Sequence, residues 1–324
     1  MSEDGPNLIL APVRGITDAV YRRAFACCFG GFDRAIAPFV QVRRGQALRS
    51  GERRQLLPEN NRDLTVIPQV LTNHASTFAA ALRELHDLGY DEVNWNLGCP
   101  HPPVAGRARG AGLLPEPERI ATILDQVLNQ CPVRLSVKLR LGYRDADEFL
   151  PVFEVLNRHS LAEVILHPRT AAQMYAGAVD LERAKQAAAL CQHPFVYNGD
   201  ITTSCDFCEL RNQFPAATAW MIGRGALSDP FFPARLKGVF LADVEARRRR
   251  LRDFHDQLLE GYRSWLSGPG HLLTKMKEQW AYLAFVFADS SRVLRRVRHS
   301  HNLETLVTAV DWAFDQPLAS VMLK

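Results

Sequence analysis

Glu92-Val93-Asn94-Trp95-Asn96-Leu97-Gly98-Cys99-Pro100 is the stretch on which the fold turns. Residues 92–96 form a short apolar run of β type, and Gly98 and Pro100 stop it abruptly, so that a constrained turn offers the Cys99 thiol to whatever lies above the strand end. A cysteine in a turn is most often a small buried thiol. Here its company changes that reading. Seven other short apolar runs precede residue 225, at 8–11, 34–37, 65–70, 135–139, 163–167, 195–198 and 219–223, and several also end in polar residues. Their hydrophobicity is continuous rather than alternating, as in parallel strands buried on both faces. Helix-type segments separate most of them, at 76–88, 117–130, 147–159 and 181–191. Eight β/α alternations in about 235 residues fit a (β/α)8 TIM barrel. A doubly wound sheet would carry a glycine-rich turn after its first strand, whereas Leu10-Ala11-Pro12-Val13-Arg14-Gly15 has one glycine.

After about residue 240 no strand run appears. The segments 244–266, 272–287, 290–299 and 303–314 have helical spacing, with a break expected at Ser267-Gly268-Pro269-Gly270 and an N-cap within Ala288-Asp289-Ser290-Ser291. The expected division is a catalytic barrel over 1–240 and a small all-α helical bundle over 241–324. Of 324 residues, 47% are hydrophobic and 23% charged, ordinary for a globular enzyme. No run reaches the roughly 18 apolar residues of a membrane span. The acidic start Met-Ser-Glu-Asp-Gly-Pro lacks an apolar signal region, and seven scattered cysteines suit a reducing cytoplasm. Cys205 and Cys208 form an unanswered C-x-x-C that reads as one helical turn, so no metal is expected.

The net charge of +4 is mild, but its distribution is not even. Residues 241–324 hold 13 Lys and Arg against 10 Asp and Glu, with clusters at Arg247–Arg250 plus Arg252 and at Arg292, Arg295, Arg296 and Arg298. Such runs are either solvated helix faces or phosphate-binding surfaces.

Catalytic residues of a barrel lie at the C-terminal ends of its strands. Those ends supply Ala11-Pro12, Gln69, Asn96 with Cys99, Lys138 with Arg140, His167 with Arg169, Asn198-Gly199-Asp200 and Gly223-Arg224-Gly225. The last two groups follow the final two strands, where barrels commonly bind phosphate. Lys138 sits in an apolar strand, where its charge needs an ion pair, a Schiff-base role or an anionic cofactor such as a reduced flavin. His167 is open between packing and ligand contact, and neighbouring Arg169 favours contact.

The pieces Leu10-Ala11-Pro12-x-x-Gly15-x-Thr17-Asp18, Pro68-Gln69-Val70, Asn96-x-Gly98-Cys99-Pro100 and Ser136-Val137-Lys138-x-Arg140-x-Gly142 resemble the tRNA-dihydrouridine synthases. So do His167-x-Arg169-Thr170, Asn198-Gly199-Asp200-Ile201 and Met221-Ile222-Gly223-Arg224-Gly225-Ala226-Leu227, in the family's order and spanning about 8–236. Lys275-x-Lys277-x-x-x-Trp280-x-Tyr282-Leu283 is similar to the helical tail of bacterial C-type members. The resemblance implies FMN held by Ala11, Pro12, Gln69, Lys138, His167, Asn198, Gly199, Asp200, Gly223 and Arg224. It implies Cys99 as the acid that protonates uracil C5, with NADPH as electron donor. It further implies a monomer that binds tRNA through Asn96, Arg140, Arg169, Lys275, Lys277, Arg295, Arg296 and Arg298, with no membrane association. Departures from the family pattern cluster on the rim facing RNA: His101-Pro102-Pro103-Val104 after the cysteine, Val13-Arg14 after the first strand, and Met174 and Ala176 where the family has Arg or Lys. They leave the target uridine, and the class of RNA, open. A flavin-dependent reductase of small pyrimidines is the alternative, and it gives no reason for an arginine-clustered tail.

Overall fold

The computed structural model describes residues 5–42, 48–129 and 131–320. Parallel strands stand around a barrel: β1 (Leu8–Leu10), β2 (Arg34–Ile36), β3 in two segments (Thr65–Ile67 and Gln69–Leu71), β4 (Glu92–Leu97), β5 (Arg134–Gly142), β6 (Val164–Thr170), β7 (Phe195–Tyr197) and β8 (Ala217–Ile222). β8 pairs with β1, Trp220 opposite Leu8 and Ile222 opposite Leu10, which closes the cycle. The run expected at 65–70 is interrupted at Pro68, which has no N–H for a ladder. Its first segment pairs with β2 and its second with β4, while the Pro68 carbonyl accepts the Asn94 N–H at 2.8 Å. A two-residue strand, Val40–Gln41, lies along the second segment.

Alternation along each strand sorts side chains into lumen and outer layer. Val93, Trp95, Leu97, Val137 and Leu139 face outward into the main core, packed beneath helices such as Ala75–Asp87 and Pro117–Leu128. Ile9, Ala11, Ile36, Ile67, Ile165, Val196, Ala219 and Met221 point inward as a separate apolar cluster. The lumen is lopsided. β3, β4 and β5 contribute Gln69, Asn94, Asn96, Ser136 and Lys138, in register as Gln69 opposite Asn94, Asn94 opposite Ser136 and Asn96 opposite Lys138. Ion pairs mark the N-terminal end, Arg34 with Glu163 at 2.6 Å and Arg134 with Glu92 at 2.9 Å.

The tail consists of helices Val244–Trp265, Pro269–Leu283, Ser290–Arg298 and Leu303–Phe314. Its core is Trp280, whose indole N–H donates to His255 Nδ1 at 3.2 Å and whose ring packs on Phe287 and Phe314. The second helix starts inside the expected breaker, because Pro269 is pre-shaped for a first helical position and the turn is made by Gly268 alone, at φ +82°. Asp289 caps the third helix through Arg292 N–H at 2.9 Å.

Helix Ala19–Cys28, not among the helical segments expected from the sequence, has seven of its ten residues buried and packs against helix Val244–Trp265. Gly261 permits that approach, since a Cβ there would lie 2.5 Å from Val20 Cγ1. Gly261→Ala is therefore expected to lower the thermal midpoint, even though alanine is the better helix former by about 1 kcal/mol. Adding Val20→Ala should restore most of the loss. Melting curves of the two singles and the double check this, and a Gly261→Ala protein as stable as the parent would remove the close approach as the reason for glycine.

Candidate active site

A cavity of about 780 Å³ opens at the C-terminal end of the barrel. Ala11, Pro12, Gln69, Asn96, Cys99, Lys138, Arg140, His167, Asn198, Gly199, Asp200, Gly223 and Arg224 all line it. Residues far apart in sequence meet there because each ends or follows a strand.

Cys99 is held from three sides. The Asn96 Oδ1 accepts the Gly98 and Cys99 N–H groups at 3.1 and 2.9 Å, which locks the turn. Arg140 Nε donates to the Gly98 carbonyl at 3.1 Å. Gly110, at φ +56°, lies so close that its Cβ would come within 2.9 Å of Cys99 Cβ, and Ala111 N–H donates to the Cys99 carbonyl at 3.2 Å. Burial pushes the thiol above its ordinary pKa, against the opposing pull of the His101 N–H and of Arg14, Arg140 and Lys138. The thiol therefore keeps its proton at neutral pH.

Lys138 makes no hydrogen bond or ion pair among the described residues, so the ion-pair alternative for it does not hold. Burial, reinforced by Arg140, drives its ammonium down to about 7. An unpaired, half-buried amine facing a cavity is a demand for an anionic or hydrogen-bonding guest. His167 is held neutral by burial and by Arg140, Lys138, Arg169 and Arg224. Its Nε2 accepts from Arg169 Nη1 at 3.2 Å, which assigns the proton to Nδ1.

Arg169 grips Asp200 through two nitrogens, at 2.9 and 2.5 Å, and the Gly177 carbonyl at 2.6 Å. Arg224 reaches the same carboxylate at 3.0 Å and stacks on Tyr175, 5.0 Å from its centroid. Asp200 is thus a counter-ion that orients two arginines, and a phosphate ligand it is not, since two anions repel. Of the glycines expected to admit phosphate, Gly199 and Gly225 are fixed by packing, a Cβ on Gly199 meeting Pro168 Cδ and Val179 Cγ1 at 3.1 Å and one on Gly225 colliding with the Ile201 carbonyl. Asn198 ties β7 to β8 by donating to the Met221 carbonyl at 2.9 Å.

Several residues expected to meet RNA are committed elsewhere. Asn96 spends its amide on Gln69 and the Cys99 turn. Arg140 donates to Gly98, Thr170 and Met174 carbonyls, and Arg169 is saturated by Asp200 and Gly177. Lys275 binds the Gly15 carbonyl at 2.6 Å and Asp18 at 2.9 Å, and Lys277 the Ser300 carbonyl at 2.5 Å. Three of the five arginines of the first cluster are likewise absorbed, Arg247 buried on Phe231, Arg248 bound to the Phe314 and Gln316 carbonyls and Arg252 paired with Asp256 and Asp311, while Arg249 and Arg250 stay exposed. Arg295, Arg296 and Arg298 are different. They stay exposed, without a carboxylate among the described residues, and Arg296 stacks on Trp312 at 4.4 Å.

The cavity also has an aromatic part of its lining that was not assigned to the site from the sequence. Phe39 follows β2, exposed Tyr175 lies in the loop after β6, and Tyr282 enters from the tail. Only Tyr282 carried a signal, as part of the tail motif.

A family profile described as dihydrouridine synthase (Dus) matches residues 9–298. A probable tRNA-dihydrouridine synthase of Rhodobacter capsulatus is 29% identical over 267 residues, 81% of this chain and 80% of its own. A tRNA-dihydrouridine(16) synthase of Cupriavidus necator is 30% identical over 241 residues, 72% of this chain and 74% of its own. Among solved structures, morphinone reductase in complex with tetrahydroNAD superposes with a TM-score of 0.52 at 11% identity, over 74% of this chain and 89% of its own, a likeness of fold.

Lys138 offers a pH test of the site. Its pKa falls from 10.5 to about 7 on folding, so the unfolded chain binds more protons between those values and stability rises with pH across that window. In ligand-stripped protein, Lys138→Met should melt higher than the parent at pH 7, and the gap should shrink toward pH 10. A gap independent of pH would mean that the Lys138 ammonium is not desolvated.

Proposed function

The chain belongs to the dihydrouridine synthase family, and from that premise we propose that it is an FMN-dependent enzyme reducing the C5=C6 bond of a uridine in tRNA to 5,6-dihydrouridine, with electrons from NADPH. The observation that carries this reading is a partly buried thiol on a braced turn and an unpaired, half-buried lysine facing one cavity. The residues present fit FMN. Lys138, Gln69 and His167 would meet the polar edge of its ring, while Gly223 and Arg224 beside Asn198 would hold its phosphate. When bound, FMN supplies the hydride for uracil C6.

The chain's own part is the proton. Charge that develops on the uracil collapses when C5 is protonated, and Cys99 on its braced turn donates that proton in the water-poor cavity. Because burial keeps the thiol neutral, the acid is charged with its proton at working pH. The base must leave its stack to reach such a pocket, and the tail is the part proposed to grip the RNA, through Arg295, Arg296 and Arg298. In this reading 1–240 carries the chemistry and 241–324 the RNA contact, in a monomer working in the cytoplasm. No helix among the described residues is long and apolar enough to cross a membrane.

Two measurements test it. Purified protein should be yellow with bound flavin, and reduced enzyme should be reoxidised by unmodified tRNA in a single turnover. Cys99→Ala should retain flavin and RNA binding and lose about 10²–10⁴-fold in that step, whereas reoxidation at the parent's rate would disqualify Cys99 as the acid. Affinity for tRNA should fall with added salt by about 0.7–0.9 log units per log unit for each phosphate contact. Arg295→Gln with Arg298→Gln should flatten that slope, and an unaltered slope would return these arginines to a solvated face.

A further inference from the structure

The loop after β1 carries a cation that no part of the proposed chemistry uses. Arg14 is exposed at the cavity mouth, with its guanidinium carbon 5.3 Å from the centroid of Phe39. Among the described residues it has no carboxylate partner and makes no hydrogen bond, unlike Arg140, Arg169 and Arg224 around the same cavity. Its charge nonetheless reaches Cys99, where it opposes the effect of burial on the thiol.

The backbone beneath Arg14 is unusually well held for an exposed loop. Thr17 Oγ1 accepts the Val13 N–H at 2.8 Å and donates to the Ala11 carbonyl at 3.2 Å. Gly15 takes φ +80°, and its carbonyl is bound by Lys275 from the tail at 2.6 Å. A flexible surface arginine would lose much rotamer freedom on binding an anion, whereas one already laid on an aromatic ring loses less. The fork stays free for bidentate donation.

FMN has one phosphate, and the β7–β8 side of the cavity with Arg224 accounts for it. A second preset guanidinium beside the acid calls for a second anion. We propose that Arg14, laid on Phe39 at the mouth beside Cys99, clamps a backbone phosphate of the RNA strand whose base enters the cavity. This rests on the reading of the site as a uridine reductase. The clamp fixes the depth at which a base can be presented to Cys99, because the phosphate is held at the rim while the base extends inward. It also links substrate entry to the tail, through the Lys275 bond to the same loop.

The test uses full-length, flavin-loaded protein and unmodified tRNA. Arg14→Gln should bind tRNA about tenfold more weakly, with a salt slope shallower by about one contact, 0.7–0.9. Phe39→Leu, which keeps the charge and frees it from the ring, should lose affinity in the same direction by less. Flavin content, read by absorbance, reports on folding of each variant. Unchanged affinity and slope in Arg14→Gln would overturn the clamp. So would a rise in the KM for NADPH with tRNA affinity intact, which would give the phosphate to the dinucleotide. If the parent itself neither binds tRNA nor is reoxidised by it, the reading beneath fails, a result distinct from either of these.

Discussion

A one-way relay of side-chain hydrogen bonds across three adjacent strands governs this site. Asn94 donates to Ser136 Oγ at 3.0 Å, Gln69 donates to Asn94 Oδ1 at 2.8 Å, and Asn96 donates to Gln69 Oε1 at 2.7 Å. The Gly98 and Cys99 N–H groups fix Asn96 with its oxygen toward the turn, which in sequence orients the amides of Gln69 and Asn94. In a buried lumen an amide turned the wrong way would leave donors facing donors, each unmade bond costing about 1–3 kcal/mol. The polarity is set at the Cys99 turn, whose two N–H groups can only donate, and it passes through Asn96, Gln69 and Asn94 to Ser136 on the neighbouring strand, whose hydroxyl can accept. It also explains the lopsided lumen: the apolar half needs only volume, while the polar half needs every partner in register.

A second node joins the barrel to its tail. Asp18 caps helix Ala19–Cys28 through the Tyr21 N–H and also accepts from Tyr262 at 2.9 Å and Lys275 at 2.9 Å. Gln279 bridges the Ile16 carbonyl and the Tyr262 hydroxyl. Burial and the adjacent Asp18 carboxylate hold the Tyr262 hydroxyl protonated far above its usual range, so it remains a donor at any working pH. The helix that carries Lys275 and Gln279 also carries Tyr282, in its last turn, which lines the cavity. The tail is therefore a wall of the site as well as an appendage to it.

The eight strands were legible because a parallel barrel buries each strand on both sides, and continuous apolar runs advertise that. The strand-end residues were legible as a set because the fold brings those ends together. What they do there was harder to read. Arg140 and Lys275 are basic residues in a chain with a basic tail, and sequence cannot distinguish a guanidinium bound to three carbonyls from one waiting for phosphate. Arg247 to Arg252 and Arg292 to Arg298 look alike as strings. They differ because Arg248 and Arg252 of the first cluster lie where Asp256, Asp311 and the carbonyls of 314 and 316 converge, a tertiary fact.

The charge balance of the cavity decides what kind of group Cys99 is. Arginines and a lysine surround it, with Asp200 the acid that lines the same cavity. Cations at that density lower a thiol's pKa and, unopposed, would create a thiolate nucleophile. Burial opposes them and wins, leaving the pKa raised. For the other titratable groups burial and the field act in the same direction: burial first, and then the neighbouring cations, bring Lys138 down to about 7 and keep His167 uncharged. Burial thus leaves a cavity whose cysteine holds its proton, while the surrounding arginines give that cavity a positive potential. A group that must deliver a proton to carbon needs the first condition, and a cavity that must accept an anionic guest needs the second. Both follow from placing Cys99 on a turn that is partly buried and braced by Arg140 without being paired to it.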